Sequence, residues 1–99
     1  MMKLWVDDIR PAPKGYNVAR SVNDAILKIR LAQFMQDDID VIDIDHDAGD
    51  YVNEGGDYIK LLDWLEQVGI SCPIHIHSMN PVGIQNMRAI IERNGWLEV

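Results

Sequence analysis

The chain has 99 residues, of which 47% are hydrophobic and 25% charged, and its formal net charge is -7. These values indicate one globular domain over residues 1–99. The negative charge excludes a surface that attracts long duplex nucleic acid, so we do not expect such a partner. No apolar run reaches the roughly 20 residues of a membrane span, so we do not expect a membrane partner either. Cys72 is the single cysteine, and the first residues lack the pattern of a secretory signal, so we expect a cytoplasmic protein.

The first part of the chain predicts two short strands joined by a loop. The apolar stretch 3–6 predicts a strand that ends at Asp7 and Asp8. Residues 9–15 (IRPAPKG) are rich in proline and glycine and predict a loop. Residues 16–19 (YNVA) predict a second strand.

A helix and a third strand come next. Ser21 and Asp24 have the spacing of an N-terminal capping box, and apolar residues follow at helical intervals until residues 36–38. Residues 40–45 (DVIDID) predict the third strand, and the segment 47–56, rich in glycine and acidic residues, predicts a loop.

The rest of the chain predicts two helices around a fourth strand. The helical stripe over 58–68 ends at a glycine, and residues 72–78 (CPIHIHS) predict the strand. Asn80 then has the position of an N-cap, and the Asn-Gly pair at 94–95 ends the last helix. Residues 96–99 (WLEV) are a candidate edge strand.

Alternating strands and helices predict an α/β domain with a mostly parallel sheet of four or five strands and about three helices, packed on both faces of the sheet. Ligands of such sheets bind at the carboxyl ends of the strands. Three polar groups lie at those ends: Asp7 and Asp8; Asp45, His46 and Asp47; and His77, Ser78 and Asn80. We expect the three groups to converge on one rim.

The predicted third and fourth strands place acids beside histidines. Alternation puts His75 and His77 on one face of their strand, and Asp43 and Asp45 on one face of theirs. We therefore expect two pairs, Asp45 with His77 and Asp43 with His75. A carboxylate fixes the tautomer of a histidine, which suits acid–base chemistry. For the deeper pair, a satisfied buried contact without a catalytic role is an equally good interpretation.

Several groups near the rim are candidates for binding a phosphate. The free N–H groups at the start of the last helix favour anions, and Ser78, Asn80 and Gly83 would contribute there. Arg10 is a candidate bidentate clamp. The competing interpretations are an ordinary capped turn and a salt bridge from Arg10 to the acidic pair. Glycine weakens a helix, so Gly83 indicates close approach of a ligand or of another backbone.

The carboxylates also suit a metal ion, although no metal-binding spacing of histidines or cysteines is present. Asp7, Asp8 and Asp47 offer oxygen ligands of the kind that Mg²⁺ or Mn²⁺ prefers. We expect such an ion to be optional, and we expect no organic cofactor.

Three blocks of the sequence, WVDDIRPAP, DIDHDAGD and IHIHSMNPVGIQNM, resemble the motifs of the cyclic-phosphate processing receiver domains, in the same order over nearly the whole chain. The resemblance implies a receiver-like (flavodoxin-like) three-layer sandwich. It also implies activity on cyclic phosphates of nucleotides or RNA ends. It places the site at Asp7, Asp8, Arg10, Asp45, His46, Asp47, His75, His77, Ser78 and Asn80. The loop at 9–15 stands where a receiver has a helix.

The interpretation that we favour is a phosphoesterase acting on a small cyclic nucleotide or a cyclic-phosphate RNA end. Its catalytic group would be His77, His75, Asp45 and His46. One alternative is a signalling receiver that accepts a phosphoryl group on Asp45 or Asp47, although the chain has no lysine after Lys60. The other is a module that binds nucleotides or proteins without catalysis. The sequence does not predict the oligomeric state.

Overall fold

The computed structural model describes residues 1–99 as four strands, three α-helices and one 3-10 turn, Gly49–Tyr51. The strands are β1 (Met2–Val6), β2 (Asn17–Ala19), β3 (Ile39–Ile44) and β4 (Ile74–Ile76). The helices are α1 (Val22–Phe34), α2 (Ile59–Val68) and α3 (Pro81–Asn94). Each of these strands and helices was predicted from the sequence. None of the helices has the length and apolar character that crossing a bilayer requires.

The four strands form one parallel sheet in the order β2-β1-β3-β4. Trp5 on β1 pairs with Asp43 on β3, and Asp43 pairs with His75 on β4. The segment 96–99 contributes only a single parallel bridge, between Ile74 and Glu98, so the predicted fifth strand is reduced to one contact. A parallel four-stranded sheet with three helices confirms the predicted α/β class.

Side-chain caps begin two of the helices as the sequence predicts. The Ser21 hydroxyl accepts the N–H of Asp24 at 3.0 Å at the start of α1. The Asn80 side chain accepts the N–H of Gly83 at 3.0 Å at the start of α3, and Pro81 occupies the first turn, where no intrahelical N–H bond is lost. These caps fix where each helix leaves the carboxyl end of its strand.

The hydrophobic core lies between the three helices and one face of the sheet. It is one cluster of 20 buried residues. The sheet supplies alternate positions from each strand: Leu4, Val6, Ala19, Ile42, Ile44 and Ile74, all 0% exposed. Burial on only this face leaves the other alternate positions for polar and aromatic side chains.

We expected helices on both faces, but all three helices pack on the same face. After β2, each connection leads to a strand further along the sheet in the same direction, through α1 to β3 and through α2 to β4. Because such crossovers are right-handed, their helices lie on one face of the sheet. The second helical layer of a three-layer sandwich would need a helix between β1 and β2. The segment there contains Pro11 and Pro13 and forms no helix, so this layer is absent.

The face without helices carries the side chains of Trp5, Asp43 and His75, which lie in register on three neighbouring strands. The loop between β1 and β2 covers part of it, because the Trp5 indole N–H donates to the Arg10 carbonyl at 3.0 Å. This loop therefore covers the face without helices next to the carboxyl edge of the sheet, where the polar residues lie.

Candidate functional site

The His77 imidazole lies where the carboxyl ends of β1, β3 and β4 meet. Its Nδ1 is 2.5 Å from Oδ1 of Asp43, and its Nε2 is 2.9 Å from Oδ2 of Asp7. Each ring nitrogen therefore faces one carboxylate oxygen within hydrogen-bond distance. His77 is held between two carboxylates, with 12% of its side chain exposed.

The Trp5 indole packs against one face of the His77 imidazole. The two rings are stacked, with centroids 4.0 Å apart and planes 4° apart. Sequence reasoning did not assign Trp5 to the site. The signal was present, because Trp5 and Asp7 occupy alternate positions of one strand and so share the face that carries Asp43.

Asp7 is almost fully buried, at 1% exposure, but its carboxylate is well supplied with donors. The backbone N–H groups of Ile9 and Arg10 both donate to Oδ1 at 2.9 Å. Burial alone would raise the pKa of Asp7, but these two donors together with His77 outweigh it, so the pKa lies below its ordinary value. Asp7 is therefore ionised at neutral pH and anchors the site.

Asp8 and Asp45 complete an acidic group around this anchor. Burial raises the pKa of Asp8, and the negative charges of Asp7 and Asp45 raise it further. Asp45 accepts its neighbour's backbone N–H, that of His46, at 2.7 Å. One ligand atom each of Asp7, Asp45 and His77 lies within 4.8 Å of the others. The three predicted polar groups thus do converge on one rim.

The predicted acid–histidine pairs are only partly observed. Asp43 and His75 are register partners on the same face, but the Asp43 carboxylate bonds His77 instead of His75. Side chains of a strand lean along it, which carries Asp43 toward the later histidine. His75 is exposed, and its Nδ1 lies 2.7 Å from the Val99 carbonyl oxygen. Asp45 lies beside His77, as expected, but without a hydrogen bond to it.

Asp47 does not join Asp7 and Asp8, so the metal triad that we predicted is not assembled. Its carboxylate lies 2.8 Å from Nδ1 of His46 and is 64% exposed. His46, Asp47 and Asp57 form a separate group of ligand atoms within 4.8 Å of one another. Asp47 belongs to the segment between β3 and the 3-10 turn, outside both elements.

The start of α3 offers fewer free donors than the sequence predicted. The Ser78 hydroxyl oxygen accepts the N–H of Asn80 at 3.1 Å, and Asn80 in turn caps Gly83. Pro81 has no N–H, so Val82 is the first-turn residue whose N–H has no partner. The Ser78 hydroxyl hydrogen is also free to donate.

Gly83 has a different explanation from the ligand or backbone approach that we expected. A Cβ at this position would lie 2.5 Å from Cγ and Cδ2 of the His46 ring. The absence of a side chain therefore lets His46 pack against the first turn of α3, where the Asn80 side-chain nitrogen lies 3.5 Å from Nδ1 of His46. Gly83 positions a histidine at the edge of the site.

Arg10 is exposed, and its guanidinium lies 3.5 Å from the His77 carbonyl oxygen, with no salt bridge to the acidic pair. Arg20, which the sequence did not single out, donates from Nη1 to the carbonyls of Asp7 at 3.0 Å and Arg10 at 2.8 Å. The hydroxyl of fully buried Tyr58 donates to the Arg20 carbonyl at 2.7 Å. No sequence motif joins these residues, yet they fix the loop that presents Arg10.

The fold is a parallel α/β domain. Carboxylates carried by β1 and β3 meet the imidazole that follows β4 at the carboxyl edge of the sheet. Together these features define a receiver-like domain with an acid–histidine site. The chain belongs to the family of cyclic-phosphate processing receiver domains, whose model matches residues 2–93. Comparisons with curated proteins and with solved structures gave no match. The matched range contains every site residue that the sequence predicted.

Proposed function

We propose that the protein hydrolyses a cyclic phosphodiester, carried by a small nucleotide or an RNA end, with His77 as the proton donor. The observation that carries this proposal is the contact of His77 with both Asp7 and Asp43 at the carboxyl edge of the sheet. A histidine held by a carboxylate at each ring nitrogen suits acid–base chemistry. Its partial exposure leaves one edge accessible to a ligand.

A phosphate must be attracted locally, because a chain with net charge -7 repels it at long range. The cation at the end of β4 is the exposed Arg10 guanidinium, which lies 3.5 Å from the His77 carbonyl oxygen. Ser78 and the unpartnered N–H of Val82 would supply neutral donors to the phosphoryl oxygens. Recognition in this arrangement rests on Arg10 more than on the helix terminus.

The reaction breaks one phosphorus–oxygen bond of the ring and adds one water. Water attacks phosphorus, and the proton that it loses passes to a carboxylate. Asp45 is our choice, because it lies within 4.8 Å of His77 and makes no hydrogen bond with it. The ring oxygen that leaves takes the proton from Nε2 of His77, once the substrate has displaced the Asp7 carboxylate from that nitrogen. The product is a phosphate monoester with a free hydroxyl. His75 has no step in this scheme, because its Nδ1 faces Val99.

A divalent ion fits the same acids. Asp7 and Asp45 offer carboxylate oxygens close together, with Asp8 beside them, and such oxygens suit Mg²⁺ or Mn²⁺. The His77 nitrogens are both occupied by carboxylates, so the donor set for an ion is oxygen only. When bound, the ion would neutralise charge on the phosphoryl group. The proposal includes no organic cofactor.

The test is an assay of a panel of 2′,3′-cyclic and 3′,5′-cyclic nucleotides and a cyclic-phosphate-ended oligonucleotide, with and without EDTA. His77→Ala should lower turnover by about 10²-fold or more, whereas His75→Ala, two residues away on the same face, should be nearly unaffected. His77→Gln guards against a folding defect, and thermal melts of all variants establish that they fold. Folded His77 variants with unchanged turnover, or a wild-type chain that cleaves nothing in the panel, would contradict the proposal.

Phosphoryl transfer to Asp45 is the second candidate, favoured by its position at the end of β3 beside the Asp7–Asp8 pair. Incubation with acetyl phosphate and Mg²⁺ separates the two functions. A stable mass increase of one phosphoryl group, lost in Asp45→Asn, would support the signalling role.

A further inference from the structure

Helix α1 is apolar on two opposite sides. Its inner side packs into the core through Val22, Ala25, Ile29 and Ala32. Its outer side carries a second set, the apolar stripe, whose exposures are 65% for Leu27, 58% for Leu31, 83% for Phe34 and 68% for Met35, the residue that caps the helix. A contiguous exposed apolar patch on a small domain usually marks an interaction surface. The apolar stripe is therefore a surface that lacks its partner.

We propose that the apolar stripe of α1 is the contact surface of a homodimer, in which α1 packs antiparallel against α1 of a second copy. The stripe is self-complementary. Leu27 and Phe34 lie at nearly equal distances on either side of Leu31, and the spacings of four and three residues keep all three on one side of the helix. A two-fold axis near Leu31 places Leu31 against its own copy and Leu27 against Phe34 in both directions, as an isologous contact requires.

The charges around the stripe permit this approach although each copy carries a net charge of -7. The charged residues within α1 are Asp24, Lys28 and Arg30, so the helix itself is not acidic. Asp24 and Lys28 are paired in a salt bridge, and the Arg30 guanidinium lies 5.4 Å from the centre of the Trp64 ring. Two copies therefore meet through apolar side chains without bringing unpaired acids of α1 together.

The area is sufficient for a weak dimer. Each of the four side chains exposes on the order of 100 Å², so two copies would bury about 1,000 Å², the lower end for a specific interface. The stripe borders a groove whose lining is half apolar, with Met2, Ala32 and Met35, and half polar, with Lys28 and Asp37 among the polar residues. Interfaces at this lower end belong to the weak or transient class, so we expect dissociation in the micromolar to millimolar range.

Sedimentation equilibrium between about 1 µM and 1 mM tests the dimer. We expect a monomer–dimer equilibrium that added salt strengthens, because salt screens the repulsion between two acidic copies and leaves the apolar contact intact. Leu31→Glu and Phe34→Arg should both abolish the dimer, and Leu97→Glu, at an equally exposed leucine outside α1, should not. Two substituents of opposite charge distinguish an apolar contact from an electrostatic one.

A chain that is monomeric at 1 mM would overturn the dimer, and so would a dimer that both α1 variants retain. Binding to uncharged phosphatidylcholine vesicles, lost in Leu31→Glu and unaccompanied by a dimer, would assign the stripe to a lipid surface instead. Cyclic-phosphate turnover of the α1 variants should equal that of the wild type, since none of these residues belongs to the site around His77.

Discussion

Asp7 and Asp8 are neighbours in the chain, but the fold places their carboxylates in opposite electrostatic environments. Asp7 accepts two backbone N–H groups and contacts His77, and its pKa is lowered against the effect of burial. Burial raises the pKa of Asp8, and the charges of Asp7 and Asp45 add to that effect. One aspartate therefore stabilises the folded chain and the other destabilises it at neutral pH.

Asparagine substitutions should therefore have opposite signs at these two positions. At pH 7, Asp7→Asn should lower the free energy of unfolding by about 2–4 kcal/mol, because it removes one of the two carboxylates that contact the His77 imidazole. Asp8→Asn should raise the free energy of unfolding by up to about 1 kcal/mol, because it removes a like charge from the acidic group. Urea denaturation of both variants measures these changes, and a loss of stability in Asp8→Asn would contradict our account of Asp8.

The pH dependence of the two effects should also differ. The folded state binds the Asp8 proton more tightly than the unfolded state, so the advantage of Asp8→Asn shrinks as the pH falls toward the ordinary aspartate value of about 3.9. The folded pKa of Asp7 is lowered, so its stabilising contribution is complete above that value and is lost as the pH falls through the lowered pKa. Repeating the urea series at pH 7, 5 and 3.5 separates the two residues.

Trp5 should act on turnover through the orientation of His77. Trp5→Leu removes the stacked ring, and we expect about a tenfold lower kcat with little change in KM. Trp5→Phe keeps an aromatic face and should recover most of the activity. Trp64→Leu is the control, because Trp64 is a partly buried tryptophan that packs against the helix-covered core and does not stack on His77. Equal losses of kcat in Trp5→Leu and Trp64→Leu would show that Trp5 has no special role.

Gly83→Ala should destabilise the protein although alanine favours helices. Helix propensity alone predicts a gain of about 1 kcal/mol, but the added Cβ would lie 2.5 Å from the His46 ring. In a His46→Ala background this clash is absent, and the gain should return. Thermal melts of the two single variants and the double variant measure the coupling. Additive effects would mean that the His46 ring moves aside at no cost.

Tyr58→Phe should loosen the loop that carries Arg10. The substitution removes the hydrogen bond to the Arg20 carbonyl, made by a hydroxyl whose pKa burial raises, and should lower the free energy of unfolding by about 1 kcal/mol. Tyr51 is partly buried, and its hydroxyl makes no hydrogen bond within the chain, so Tyr51→Phe should change stability by less than about 0.5 kcal/mol. Urea denaturation compares the two variants, and equal effects would contradict a role for the Tyr58 hydroxyl.

Much of the fold followed from periodicity and caps. Helical spacing and the caps at Ser21 and Asn80 predicted α1 and α3, and alternation predicted which face of β3 carries Asp43. The convergence of the strand ends followed from the rule for parallel sheets. These features depend on neighbouring residues, so the sequence displays them directly.

Features that depend on side-chain direction or on distant contacts were missed. Strand register pairs Asp43 with His75. The Asp43 side chain leans along its strand, however, and its carboxylate contacts His77 instead. The Tyr58–Arg20 bond joins residues 38 positions apart and has no local signal. The single helical layer follows from the proline-rich loop between β1 and β2 together with the strand order. The strand order depends on contacts between distant residues, so the sequence does not display it.

The contact of Asp7 with His77 spans 70 positions of the chain. A ribosome that adds about 5–20 residues per second makes Asp7 roughly 4–14 s before the histidine that neutralises it. Until then the acidic residues at the ends of β1 and β3 lack the imidazole that lies between Asp7 and Asp43 in the folded chain. A half-made chain therefore lacks the carboxylate–imidazole–carboxylate contact, which forms only after the last strand has been translated.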